Sequence, residues 1–204
     1  MSTYRNIIFD VGSVLVNWMR INLYTTLFHG DKNKAKWMVD NIVTNSWNDQ
    51  TDLGKPIQDC IFELKQAYPK YAPYIVAYWY CYKDMDGGEI PGIYDVMKDL
   101  KDRGYRLYCL TNWSHETFPI VKGVYSRLFE LFDGIVVSGE EKMVKPNPEI
   151  YNLLLSRYNL KASESIFIDD RQRNVDGANQ VGIHGILFKG SNELKEQLAQ
   201  YLYK

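Results

Sequence analysis

Arg5–Asp10 reads RNIIFD, a short apolar run that ends in a carboxylate and gives way almost at once to Gly12. Further runs of strand length follow in the second half of the chain: Tyr105–Thr111 (YRLYCLT), Gly134–Ser138 (GIVVS), Ser165–Asp170 (SIFIDD) and Ile183–Phe188 (IHGILF). These runs are too apolar to keep one face wet. Helical patterns lie between them. Ile93, Val96, Met97 and Leu100 share one face, and Gly104 stands where a C-terminal cap belongs. Asn147-Pro148 reads as an N-cap and first turn ahead of Ile150, Leu153, Leu154 and Tyr158. Val175, Ala178 and Val181 stop at Gly182, and Leu194, Leu198 and Leu202 mark a terminal helix after Ser191. Strand alternating with helix predicts an α/β fold, a parallel sheet with helices on both faces.

One stretch breaks the rhythm. From about Trp18 to Gly88 there is no convincing strand, many aromatics, and helical stretches such as Ala35–Val43 and Ile57–Ala67. The pattern predicts an all-helical insertion after the first strand, rejoining the sheet through a flexible Asp86-Gly87-Gly88. The boundaries expected are residues 1–16 and 89–204 for the core and 17–88 for the insertion.

Composition narrows the function classes. Of 204 residues, 24 are basic and 25 acidic, which leaves a net charge of -1 and no basic footprint for a nucleic acid. With 46% hydrophobic and 24% charged residues the chain has globular composition. No apolar run approaches the roughly 20 residues of a membrane span. Cys60, Cys81 and Cys109 are odd in number and widely spaced, so neither a disulfide framework nor a zinc site follows. The start, MSTYRNIIFD, lacks the apolar region of a secretory signal. A soluble protein of a reducing cytoplasm is expected, with no nucleic-acid or membrane partner. Oligomeric state is left open.

In an open parallel sheet, ligands bind beyond the carboxyl ends of the strands. Those ends carry Asp10, Thr111-Asn112 and Asp169-Asp170, while Lys145 precedes Pro146 in a loop before a helix. Two unit charges about 4 Å apart interact by roughly 4 kcal/mol at an effective dielectric of 20, so three clustered carboxylates call for a cation. Oxygen ligands without His or Cys favour Mg²⁺. A carboxylate with a pKa of about 3.9 is ionised at neutral pH, so Asp10 can attack phosphorus with no activating base. Lys145 and Thr111 would hold the phosphoryl oxygens.

Each residue also has a plainer reading. Asp10 can be a turn residue, Asp169-Asp170 a helix cap, Lys145 a solvated loop lysine and Thr111 a β-branched strand residue. Asn112 either offers its backbone N–H to phosphate or shapes the turn. Asn174 either supports a metal or begins a helix, and Ser114 and His115 follow closely enough to reach a substrate. The aromatics Trp18, Trp47, Tyr78, Trp79 and Tyr80 suit a hydrophobic core of the insertion or the face of a sugar ring.

Taken together, four segments resemble the four motifs of the haloacid dehalogenase-like hydrolases. They are FDVGSVLV (Phe9–Val16), LTN (Leu110–Asn112), VKPNPEIY (Val144–Tyr151) and IDDRQRNVDGANQVGI (Ile168–Ile183), in the family's order and spanning nearly the whole chain. The resemblance implies a Rossmann-like core with a helical cap inserted after the first strand. It also implies a Mg²⁺-dependent phosphatase of a small phosphorylated metabolite. By position, Asp10 resembles the nucleophile, Thr111 the phosphate ligand of the second motif and Lys145 the lysine of the third. Asp170 would bind the metal directly, and Asp169 directly or through water.

One position departs from the pattern. The second Asp of the first motif, two residues after the nucleophile, is the family's general acid and base; here it is Gly12. Its carbonyl can still bind the metal, but the obvious proton donor is missing, and such a donor is typically worth 10²–10⁴-fold. Gly here resembles a subgroup that includes sugar-phosphate phosphatases. Two alternatives follow: a phosphometabolite-binding protein with impaired turnover, and a 2-haloacid dehalogenase. The second would want an aromatic at position 12 and an early cap arginine, for which Arg20 is the candidate.

Overall fold

The computed structural model describes residues 3–202. In chain order the elements begin with β1 (Asn6–Phe9), β2 (Val16–Trp18), α1 (Arg20–Leu27), α2 (Lys32–Asn41), α3 (Asn45–Asp52), α4 (Ile57–Ala67), α5 (Ala72–Tyr80) and β3 (Asp86–Glu89). Next come α6 (Ile93–Asp102), β4 (Arg106–Thr111), α7 (Phe118–Val124), α8 (Ser126–Phe129), β5 (Gly134–Val137) and α9 (Ser138–Glu141). The chain closes with α10 (Pro148–Arg157), β6 (Ser165–Asp169), α11 (Gln172–Gln180), β7 (His184–Leu187) and α12 (Ser191–Leu202). Among the described residues, five parallel strands form one sheet in the order β5-β4-β1-β6-β7.

Strand pleating sorts the apolar residues into two layers. Ile7, Phe9, Leu107, Cys109, Ile166 and Ile168 point to one face, which α6, α7, α8 and α12 cover through Val96, Leu100, Val121, Phe129, Leu194 and Leu198. The residues between them, Ile8, Tyr108, Leu110 and Phe167, point to the other face, where Ile150, Tyr151 and Leu154 of α10 and Ala178 of α11 pack. Both faces are dry, which is why the strands read as continuous apolar runs.

The strand order also fixes where ligands bind. From β1 the chain steps to β4 and β5 on one side, then crosses back to β6 and β7 on the other. That reversal opens a crevice beside the carboxyl end of β1. Register aligns Phe9 with Cys109 and with Ile168, so Asp10, Leu110-Thr111 and Asp169-Asp170 emerge side by side.

The joint with the helical segment differs from expectation. Asp86-Gly87-Gly88 is no flexible connector: it lies in β3 and pairs antiparallel with β2, so a two-stranded ribbon carries the chain out of the core and back. Gly87 is needed there because a Cβ would meet the Asn17 side chain at 3.0 Å and its carbonyl at 3.1 Å. Strand signals fail here because the ribbon is short and glycine-rich. No helix among the described residues is long and apolar enough to cross a membrane.

A second seam fastens α3 to the core. The Ser138 hydroxyl donates to the Asp52 carbonyl at 2.6 Å and accepts the Trp113 N–H at 2.9 Å. The Ile57 N–H, at the start of α4, donates to the Glu116 carboxylate at 2.8 Å. Backbones meet directly between them: a Cβ on Gly54 would lie 2.7 Å from the Gly139 carbonyl, and one on Gly139 would lie 2.5 Å from His115 N. Gly139→Ala is therefore expected to lower stability by about 1–3 kcal/mol in urea unfolding. Gly123→Ala, in a helix with open space around it, should be neutral or stabilising. Equal midpoints for the two variants would show that the seam yields.

Candidate active site

The loop after β1 turns sharply back on itself. Val14, Leu15 and Val16 all direct their N–H groups to the Val11 carbonyl at 2.9–3.3 Å, and Ser13 adopts φ +60°. This turn leaves Asp10 at the bottom of a cavity of about 180 Å³. The core contributes Gly12, Asn112, Trp113, Ser114, Lys145, Asp170 and Asn174 to its walls. The helical segment contributes Arg20, Asn45, Asn48, Asp49, Asp52 and Tyr78. Trp18 and Tyr82 stand at the junction.

At the floor, Lys145 is wholly enclosed. Its Nζ lies 2.9 Å from Asp10 Oδ1 and 2.7 Å from Asp169 Oδ2, and it donates to the Leu110 carbonyl at 2.8 Å. All three ammonium protons therefore have acceptors. Burial alone would lower the lysine pKa, but Asp10 and Asp169 outweigh it and hold the ammonium above its ordinary value. Asn112 positions this lysine: its side-chain NH₂ donates to the Lys145 carbonyl at 3.0 Å, and its oxygen accepts the Lys145 N–H at 2.9 Å. Asn112 thus clamps the third-motif loop to the end of β4.

Asp169 is fully buried and densely bonded. Its Oδ1 accepts the Arg171 N–H at 2.8 Å, and the Asn174 NH₂ lies 3.0 Å from both of its oxygens. Asp170 is half-buried and faces the cavity. One oxygen each from Asp10, Asp169 and Asp170 falls within 4.8 Å of the others, an arrangement that can hold a metal ion.

Three carboxylates against one ammonium leave the cluster short of positive charge. Burial raises the Asp10 pKa to about 6, with Asp169 adding to the rise and Lys145 opposing it. Asp170 is raised as well, by burial and then by Asp169. A bound cation would offset this excess of negative charge.

The remaining sequence candidates divide. Thr111 is buried and its hydroxyl has no partner among the described residues. Ser114 lines the cavity, whereas His115 is exposed and does not. Trp47 and Tyr78 pack edge to face in the core of the helical segment, and Tyr80 is 79% exposed. Trp18, Tyr82 and Trp113 form an aromatic group against the cavity, tied by a 3.0 Å hydrogen bond from the Trp113 indole N–H to the Tyr82 hydroxyl.

Sequence reading missed Ser138 and Asp52. Ser138 ends the GIVVS run, so the strand-end rule that selected Asp10 and Thr111 would have reached it. Asp52 carries no such signal.

Lys145→Met removes the counter-charge from two buried carboxylates. Breaking a buried pair in this way typically costs about 3–5 kcal/mol, and urea unfolding of the metal-free protein at neutral pH should show a loss of that size. Stability within about 0.5 kcal/mol of the parent would mean that the ammonium is not holding the two carboxylates together.

The sequence model of one family, described as a haloacid dehalogenase-like hydrolase, matches residues 4–182. A sesquiterpene phosphatase of Aspergillus oryzae is 28% identical over 91% of this chain and 90% of its own length. A glyceraldehyde 3-phosphate phosphatase of Pyrococcus abyssi is 30% identical over 50% of this chain, which spans 42% of that protein. Among solved structures, a predicted HAD-like family hydrolase of Porphyromonas gingivalis superposes with a TM-score of 0.75 at 20% identity, covering all of both chains. A HAD family enzyme of Bacteroides thetaiotaomicron, in complex with magnesium and inorganic phosphate, gives 0.69 at 23% identity, covering 92% of this chain and 96% of its own. With that family's sequence model matched over more than four fifths of its length, the chain belongs to the haloacid dehalogenase-like hydrolases.

Proposed function

We propose that this hydrolase is a Mg²⁺-dependent phosphatase of a small, polar phosphorylated metabolite, working through a phosphoryl group carried on Asp10. The observation that carries the reading is the convergence of Asp10, Asp169 and Asp170 around one point, with the Lys145 ammonium against two of them. In the reaction, an Asp10 oxygen attacks phosphorus in line with the leaving oxygen, and water then opens the aspartyl-phosphate. Lys145 would stay charged throughout and supply a fixed positive field to the phosphoryl oxygens. The buried Thr111 hydroxyl, without a partner among the described residues, is a further donor to them. Asp10, Asp170 and the Gly12 carbonyl would hold Mg²⁺, with Asp169 bound directly or through water. The ion supplies charge neutralisation that lets an anionic substrate approach an anionic nucleophile.

The helical residues between β2 and β3 act in this reading as a cap over the site, with 17–88 as its span. The polar lid favours a hydroxylated substrate such as a sugar phosphate. Arg20, Asn45, Asn48 and Asp49 line it, and a hydrocarbon chain would take the Asp49 carboxylate and the side-chain amides of Asn45 and Asn48 out of water. The relative from Aspergillus oryzae is named for a sesquiterpene substrate, which this cavity suits poorly. The dehalogenase alternative has little support: the Arg20 guanidinium is spent on the Val43 carbonyl at 2.9 Å, the Thr44 carbonyl at 2.7 Å and the Asn45 side chain.

Release of inorganic phosphate from p-nitrophenyl phosphate with Mg²⁺ tests the proposal. Activity should vanish with EDTA and return with Mg²⁺, and Asp10→Asn should lower turnover by at least about 10³-fold. Phosphate binding without turnover across a broad panel of phosphorylated metabolites would instead support a binding protein.

A further inference from the structure

Gly12 leaves the proposed reaction without its usual proton donor, and the cavity offers a replacement from the opposite wall. Asp52 ends α3, is half-buried and lines the same cavity as Asp10. Among the described residues its carboxyl makes no hydrogen bond and no ion pair. Its backbone, by contrast, is pinned: the Asp52 carbonyl accepts the Ser138 hydroxyl at 2.6 Å, and Gly54, two residues on, abuts the Gly139 backbone. The carboxyl is therefore carried by a fixed stretch of backbone in the core–helix seam, beside Ser138 and Gly139. Asp49, one helical turn earlier, is exposed.

We propose that Asp52 is the general acid and base of this enzyme, replacing the carboxylate that Gly12 lacks. The proposal rests on the phosphatase reading above. As Asp10 attacks, the bond from phosphorus to the leaving oxygen breaks, and the Asp52 carboxylic acid gives its proton to that oxygen, releasing the alcohol. Asp52, now a carboxylate, takes a proton from water. The water oxygen bonds to phosphorus and the bond to Asp10 breaks. Phosphate departs, Asp10 is again a carboxylate and Asp52 again an acid. Atoms and charge balance with water as the one co-reactant.

The surroundings suit a group that must be protonated for half the cycle. Burial raises the Asp52 pKa to about 7; Asp49 on its own helix adds to this, Arg171 and Arg20 oppose it, and Asp10 adds a little more. Tyr78 and Tyr82 also face it and are held neutral by their own burial. A carboxyl poised near neutrality can both give and recover a proton.

The test compares two leaving groups in the magnesium-loaded enzyme. 2-Glycerophosphate needs a proton on its leaving alkoxide, whereas nitrophenolate departs from p-nitrophenyl phosphate without one. Asp52→Asn should lower kcat/KM on 2-glycerophosphate by about 10²–10⁴-fold and on p-nitrophenyl phosphate by less than about tenfold. With the base also gone, the variant should release a burst of nitrophenolate before a slow steady state. The parent's kcat/KM on 2-glycerophosphate should fall as pH rises through about 7, because the acid form is lost, and this limb should be absent from the variant. Asp52→Glu should restore part of the activity, and a melting temperature near the parent's will show that each variant is folded.

An equal loss on both substrates, no loss on either, or parent activity on p-nitrophenyl phosphate alone would overturn the role of Asp52 and leave the phosphatase standing. A parent enzyme that releases phosphate from neither substrate would overturn the phosphatase reading, and this proposal with it.

Discussion

Everything at the catalytic floor depends on one buried ammonium. Lys145 contacts the carboxylates that end two neighbouring strands and the carbonyl of Leu110 in a third. Removing a charge from water is costly, and such a group is tolerated only with nearly every proton matched. The loop that carries it is therefore held as tightly as the lysine itself: Asn112 bonds both backbone groups of Lys145, and Asp169 is fixed in turn by Asn174 and the Arg171 N–H. Strands β1, β4 and β6 and the loop before α10 become one electrostatic unit. The sheet brings the groups near; the lysine sets their final spacing.

The same unit explains why a cation suits the site so well. Lys145 neutralises one of the three negative charges, and the remaining excess is carried largely by Asp170 and the outward side of Asp10, the parts that face the cavity. Asp169 contributes mostly inward, where its hydrogen bonds already lie. The floor is thus polarised, with fixed internal pairs behind and unsatisfied acceptors in front. Asp170 thus faces the cavity, while its sequence neighbour Asp169 is turned into the protein.

How much of this was legible in the sequence follows from which interactions are local. The strands could be read because each is buried on both faces, so RNIIFD and SIFID have unbroken apolar centres (Ile7–Phe9 and Ile166–Ile168) and end in a carboxylate where the sheet meets the cavity. The strand-end residues could then be singled out, since parallel pairing forces them to one rim. The ribbon of β2 and β3 could not: Val16–Trp18 and Asp86–Glu89 lie far apart in sequence, and the second carries two glycines where β-branched residues would mark a strand. Asn112 stands out at a strand end, but its carboxamide serves Lys145, thirty-three positions away, a pairing that only the tertiary structure reveals. Asp52 lay beyond reach for a related reason. Its place over the site is set by Ser138 and by close contact between two glycine backbones, neither of which leaves a periodic trace.

Gly12 shows how the aromatic richness and the missing acid are connected. A Cβ at this position would lie 3.7 Å from the Trp113 ring, in ordinary van der Waals contact with the indole. Trp113 in turn donates to Tyr82 and packs edge-on to Trp18, linking the end of β4 to the start and end of the helical segment. The space beside the nucleophile that a second carboxylate would use is thus bordered by an apolar brace between the two halves of the molecule. Placing the proton donor on the far wall, at the end of α3, separates the two tasks. The Gly12 position stays bordered by aromatic rings, while Asp52 sits among Arg20, Asp49 and Arg171, whose opposing charges help to set its protonation.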